Sequence, residues 1–131
     1  MNILVDTSIL IDIDRGRQET RKRLAELTHA NPGSPTISFI TQFEFVDGIR
    51  NRSAKNQRRS RELLQFFNVL PVSRRTGDIL AELKQDSDKR GSGLVLADLI
   101  IASQAIEHGC LLVTTDTDFA KIPGLKHVLI A

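Results

Sequence analysis

Leu94-Val95-Leu96-Ala97-Asp98-Leu99-Ile100-Ile101-Ala102-Ser103-Gln104-Ala105-Ile106-Glu107-His108-Gly109 runs straight into Cys110-Leu111-Leu112-Val113-Thr114-Thr115-Asp116. The first part reads as an apolar helix over residues 95–108. Gly109 closes it, because glycine takes the left-handed conformation after a helix end without steric cost. The second part reads as a short strand, residues 111–114, apolar throughout rather than alternating. Such a strand needs cover on both faces, which is the condition of a parallel sheet between helices. The helix carries a second message. At about 100° per residue, Leu94, Ile101, Ala102 and Ala105 all project within about 60° of Asp98. A carboxylate therefore stands in the middle of the stripe that should face the core.

The same alternation extends outward in both directions. Residues 2–6 read as a buried strand ending at Asp6, followed by a helical turn over 7–12 and a helix over 18–28 with Leu24 and Leu27 inward. Asn31-Pro32-Gly33-Ser34-Pro35 is a loop. A strand at 36–39, a helix at 42–49 and an amphipathic helix at 54–67, basic on one side, come next. The strand at 69–72 contains Pro71, which suits a sheet edge. A helix over 75–90 is broken by Gly91-Ser92-Gly93, and residues 125–130 supply a last strand. Strands separated by helices predict an α/β fold of three layers, a short parallel sheet flanked by helices, with right-handed crossovers. Functional groups in such sheets gather past the C-terminal strand ends, where Asp6 and Asp116 fall.

A chain of 131 residues, 40% hydrophobic, is expected to form one domain, residues 1–131. No apolar run approaches the roughly 20 residues that cross a bilayer, and Asp6 interrupts the opening run too early for a signal peptide. A single cysteine, Cys110, rules out an internal disulfide; placed at the head of a strand it reads as buried and structural, in a reduced, cytoplasmic setting. The net charge of +2 conceals an uneven distribution. Arg15, Arg17, Arg21, Lys22 and Arg23 crowd one segment, and Arg50, Arg52, Lys55, Arg58, Arg59 and Arg61 another, more than half of the 18 basic residues. Either cluster could be a solvated helix face. Arginine dominates both, which suits phosphate contacts, and Arg50, Arg52, Lys55, Arg58 and Arg59 are the candidate nucleic-acid contacts. With neither tryptophan nor tyrosine, extensive base stacking is not expected.

Four acids stand where the chain should be apolar or turning: Asp6, Glu44, Asp98 and Asp116. Each has a purely structural explanation. Asp6 could cap a helix starting at Thr7, Thr41 and Glu44 could form a capping box, Asp98 lies in a first helical turn, and Asp116 could cap a turn through Phe119. Their conjunction is harder to explain that way, since helix starts and strand ends of a parallel sheet share one edge. Carboxylates gathered there repel one another and call for a cation, and oxygen-only ligands select Mg²⁺ or Mn²⁺. That is the chemistry of metal-dependent phosphodiester cleavage. Ser8, Thr114 and Thr115 offer hydroxyls to orient the acids, and Asp118 is a fifth candidate; Asp12, Asp14, Asp47, Asp86 and Asp88 read as surface acids. His29, His108 and His127 form no site on paper, and no phosphate loop, zinc spacing or nucleophile elbow is present.

Val5-Asp6-Thr7-Ser8-Ile9-Leu10-Ile11-Asp12 resembles the opening of PIN-domain nucleases. Glu44 after a strand and turn, Leu96-Ala97-Asp98-Leu99-Ile100-Ile101-Ala102-Ser103, Leu112-Val113-Thr114-Thr115-Asp116-Thr117-Asp118-Phe119 and the closing Ile122-Pro123-Gly124-Leu125 fit the same family. The length looks most like VapC-type toxins of toxin–antitoxin pairs. The resemblance implies a PIN fold, a Mg²⁺- or Mn²⁺-dependent endoribonuclease acting on RNA, a cognate antitoxin and a homodimer. By position it implies Asp6 and Asp98 as direct metal ligands, Glu44 and Asp116 as the rest of the acidic pocket, and Asp118 as secondary. The competing expectation is a catalytically silent RNA- or protein-binding module. Phosphatase and receiver readings fit poorly: Asp6 is followed by Thr7 and Ser8 rather than by a second Asp two residues on, and no Asp follows the strand at 69–72.

Overall fold

Five parallel strands form in the predicted order along the chain, but the second covers residues 36–37 rather than 36–39 and the third 68–69 rather than 69–72, so that Pro71 lies past the end of its strand. A computed structural model describes residues 1–130 of the chain. The elements are β1 (Ile3–Val5), α1 (Thr7–Asp14), α2 (Gln18–Ala30), β2 (Thr36–Ile37), α3 (Phe39–Ile49), α4 (Ala54–Leu64), β3 (Asn68–Val69), α5 (Arg74–Arg90), α6 (Leu96–His108), β4 (Leu111–Thr114), a 3₁₀ turn (Thr117–Lys121) and β5 (His127–Leu129). The strand order is β3-β2-β1-β4-β5. Leu4 aligns with Thr36 on one side and Leu112 on the other, and Val113 with Val128. The order reverses between β1 and β4. That reversal opens a crevice at the carboxyl ends of these two central strands, and Asp6 and Asp116 follow them.

The two faces of the sheet bury different side chains, as a period of two requires. Ile3, Val5, Ile37 and Val113 pack with Ile9, Leu10 and Ile13 of α1 and with Phe45 and Ile49 of α3. Leu4 and Leu112 pack on the other side with Leu99, Ala102 and Ala105 of α6 and with Phe119. The three layers predicted from apolar strands are therefore present. Cys110 is buried and unpaired. Among the described residues no helix is long and apolar enough to cross a membrane.

Three departures from the sequence expectation have local causes. Helix α3 begins three residues early, because Ser38 rather than Thr41 caps it, its hydroxyl accepting from the Ile40 amide at 3.2 Å. The Thr41–Glu44 capping box therefore does not form, and Glu44 instead accepts from the Thr7 hydroxyl. Helix α4 stops at Leu64 rather than 67, leaving Phe67 buried and Phe66 exposed. Asp14 is not a surface acid: its side chain is 7% exposed and bonded to Arg52. One carboxylate oxygen accepts from Ser60 Oγ and the other from the Arg52 guanidinium, both at 2.7 Å. This pairing braces the end of α1 against α4.

Leu112, fully buried in a central strand, sets a test of the core. Leu112→Ala is expected to cost about 2–5 kcal/mol in urea unfolding, whereas Phe66→Ala should stay within about 0.5 kcal/mol. Equal effects would contradict the packing described.

Candidate metal centre

The crevice is organised by hydrogen bonds that begin in the backbone. The Asp6 amide donates to Val113 O at 2.9 Å, continuing the β1–β4 ladder one residue past β1. Its buried carboxylate is held at both oxygens. Oδ1 accepts from the Thr7 amide at 2.8 Å; Oδ2 accepts from Ser8 Oγ at 2.9 Å and Thr114 Oγ1 at 2.8 Å. The same hydroxyls fix the neighbouring turn, Ser8 Oγ accepting from the Thr115 amide at 3.3 Å and Thr114 Oγ1 from the Asp116 amide at 2.9 Å. Asp116 in turn caps the 3₁₀ turn, accepting from the Asp118 amide at 2.9 Å. The capping roles expected for Asp6 and Asp116 are thus real, and they coexist with membership of the cluster.

Asp98 enters from the first turn of α6 and is half-buried. Asp98, Asp116 and Asp118 present carboxylate oxygens that all lie within 4.8 Å of one another. Asp118, secondary in the sequence reading, is therefore in the tightest trio, while Asp6 and Glu44 stand outside it. The Asp116-x-Asp118 spacing was the available signal. Glu44 reaches the site from α3, where Oε1 accepts from Thr7 Oγ1 at 2.8 Å. Thr7 Oγ1 also lies 2.9 Å from the buried Thr41 Oγ1. Thr7 has one hydroxyl proton, given to Glu44, so Thr41 donates to Thr7. This relay of Thr41, Thr7 and Glu44 was not anticipated from sequence; Thr7 was visible between Asp6 and Ser8, but Thr41 was assigned to a cap.

The electrostatics follow from crowding. Burial pushes the Asp6 carboxyl above its ordinary value, against the lowering effect of its three hydrogen bonds, with a further push from Asp116. Asp98 is raised to about 6, first by burial and then by the charges of Asp6, Asp116, Asp118 and Glu44. Among the described residues, Asp6, Glu44, Asp98 and Asp116 take part in no ion pair; only Asp118 has one, with Lys121 at 3.0 Å. Oxygen donors with only one lysine among them, on Asp118, fit a hard divalent ion.

The arginines are placed differently from one another. Arg52 is committed to Asp14, and Arg50 pairs with Asp47 at 2.8 Å on the surface of α3. Lys55, Arg58 and Arg59 are exposed on α4 and have no acidic partner among the described residues. A hollow of about 380 Å³ between α3 and α4 is lined by Phe43, Val46, Arg50 and Arg61, away from the acid trio.

A family model described as "PIN domain" matches residues 3–125. Ribonuclease VapC1 of Rickettsia felis is 28% identical over 132 residues, covering 96% of this chain and 94% of that protein. Ribonuclease VapC1 of Methanocaldococcus jannaschii is 33% identical over 104 residues, 79% of this chain and 68% of that protein. Among solved structures, a toxin–antitoxin complex from Klebsiella pneumoniae aligns with a TM-score of 0.77 at 34% identity, covering 97% of this chain and 96% of that one. VapBC2 from Rickettsia felis, bound to a DNA fragment from their promoter, aligns over 100% of both chains with a TM-score of 0.89; at 24% identity it speaks for the fold alone.

Asp98 gives the metal-free protein a signature in its pH dependence. Ionising it is harder in the fold than in the unfolded chain, so its stabilising share is whole below about pH 3.8 and lost as pH rises through about 6. Most other carboxylates are already ionised above about pH 5. In EDTA the melting temperature should fall between about pH 5 and 7, and fall less in Asp98→Asn. A flat wild-type profile would contradict the crowding.

Proposed function

The chain belongs to the PIN-domain family, and from that premise we propose that residues 1–131 act as one PIN domain, a metal-dependent endoribonuclease and the toxin of a toxin–antitoxin pair. The observation that carries this reading is the gathering of Asp6, Glu44, Asp98 and Asp116 at one crevice with no basic side chain paired to them. Relatives that the chain matches over most of their length are named ribonucleases, which agrees with it.

In this reading Asp6 and Asp98 hold Mg²⁺ or Mn²⁺ directly, with Asp116 and Asp118 completing the ligand set. Such an ion supplies an acidified water and neutralises charge at the scissile phosphate. The chain's own contribution is positional. Ser8 and Thr114 keep Asp6 ionisable and fixed against β4. Thr7 occupies one oxygen of Glu44, which leaves the other to orient a water or take its proton. The RNA backbone is held by basic side chains of α4, foremost Lys55, Arg58 and Arg59, with Arg50 at their border. Arg52 serves RNA indirectly, by fixing α4 on Asp14.

The partner reading has two supports. The hollow between α3 and α4 combines apolar Phe43 and Val46 with the Arg50–Asp47 pair and Arg61, a lining suited to an amphipathic antitoxin segment that sets an acid against Arg61. Phe39 at the start of α3 and Val95 and Leu96 at the start of α6 are exposed apolar side chains, and a second copy of the chain would cover them in a homodimer. The buried free thiol of Cys110 suits the reducing cytoplasm.

Purified protein incubated with total cellular RNA and Mg²⁺ or Mn²⁺ should yield discrete fragments, abolished by EDTA. Asp98→Asn should give none, and Glu44→Gln should cut at least about 10²-fold more slowly. Full activity in excess EDTA would sink the mechanism. Folded wild type that leaves RNA intact with either ion would favour the silent binding module.

A further inference from the structure

Helix α1 leads from the acids to a region of opposite charge. A hollow of about 120 Å³ between α1 and α3 is bounded by Glu44 at the acidic site and by Asp14 and Arg15 further along. Asp14 and Arg15 also bound a second hollow of about 330 Å³, which Arg21 of α2 and Arg59 of α4 complete. The two depressions are thus contiguous, and Arg15 lies nine residues beyond Asp6, about 13 Å along a helix.

The second hollow is built from three unpaired arginines. Arg15, Arg21 and Arg59 are exposed, and none takes part in an ion pair among the described residues. The one acid in its lining, Asp14, has both oxygens bonded to Ser60 and Arg52 and does not neutralise them. Three unpaired arginines lining one hollow repel one another, and their grouping becomes favourable when an anion with several oxygens sits among them. The lining holds no aromatic side chain; its aliphatic members are Ile13, which is buried, and Leu63, which is half-buried. Protein partners usually dock through an apolar or aromatic anchor. The α3–α4 hollow has one in Phe43; this hollow does not.

We infer that the Arg15–Arg21–Arg59 hollow is a phosphate-holding exosite, gripping the backbone of the RNA strand a few nucleotides from the bond presented to the acids, with the α1–α3 depression as the path between. This rests on the endoribonuclease reading. It assigns a substrate role to Arg15 and Arg21, which lie on elements other than the α4 surface. It also implies that the enzyme distinguishes RNA by length: oligonucleotides too short to reach from Glu44 to Arg15 forgo the grip.

The test is fluorescence anisotropy with a labelled 20-nucleotide RNA of mixed sequence in Ca²⁺, across a NaCl series, with RNA integrity checked on a gel. The triple R15Q/R21Q/R59Q is compared with wild type and with R74Q/K89Q/K126Q, which removes equal charge elsewhere. The expected result is at least a tenfold weaker Kd for the first triple. Its salt slope should be shallower by about 2, as for three lost contacts on a single strand. The control triple should lie within about twofold of wild type, as remote exposed charges are screened, and a dinucleotide should bind wild type and the first triple alike. Equal loss in both triples would overturn the site in favour of diffuse attraction. Unchanged RNA affinity with weakened binding of poly-L-glutamate would give the hollow to an acidic protein segment and also overturn it. In either case continued cleavage of total RNA by wild type would leave the nuclease reading standing. Wild type that neither binds the 20-mer nor cleaves RNA would remove both.

Discussion

Mutual repulsion among carboxylates at the crevice between β1 and β4 is the constraint around which the rest is arranged. Asp98 feels four acidic neighbours at once, a situation that a fold tolerates only when other interactions hold the groups in place. Those interactions are the hydroxyls of Ser8 and Thr114 on Asp6, and that of Thr7 on Glu44. At Asp6 the hydroxyls donate to the carboxylate and favour its ionised form, while burial opposes it. The result is a site poised to exchange protons for a divalent cation.

The scaffold explains why the acids meet. Strands of two to four residues suffice because the central pair, β1 and β4, is apolar and covered by helices on both faces, while β3 lies exposed at the edge. The strand order places two acid-bearing strand ends side by side, and α3 and α6 deliver Glu44 and Asp98 to the same edge. At the far end of α1 the Asp14, Ser60 and Arg52 triad fixes α4. A buried pair of this kind is poor evidence for extra stability, but removing one partner strands the other charge. Its role is to set where the basic face of α4 stands relative to the acids. The acid cluster thus stands at the start of α1, and Arg15, Arg21 and Arg59 stand around the hollow beyond its end.

Much of this was legible in the sequence because the signals were local. The apolar run of residues 111–114, the glycine at 109 and the inward Asp98 fix one helix–strand unit, and its repetition fixes the fold class. The acids at strand ends could be placed without coordinates. What escaped depends on partners distant in sequence. Asp14 looks like a surface acid until Arg52 and Ser60 arrive from 38 and 46 residues away. Thr41 looks like a helix cap because the competing cap, Ser38, is an equally good residue three positions earlier. Arg52 and Arg58 look alike in a basic run, and only tertiary structure shows that one is consumed internally. Asp118 was ranked low because its nearness to Asp98 arises from the 3₁₀ turn, whose geometry is set by Asp116.

The most direct measurement is a thermal melt of chelator-treated protein at pH 7 across a Mn²⁺ series, wild type beside Asp98→Asn. A crevice of unpaired carboxylates should bind the ion in the folded state only. Wild type should then gain stability logarithmically with concentration, about 2.7 kcal/mol at 100 times Kd, and Asp98→Asn should gain far less while starting from equal or greater stability without metal. A wild type whose melting temperature is indifferent to both Mn²⁺ and Mg²⁺ would contradict the account, returning Asp6, Asp98 and Asp116 to purely structural roles.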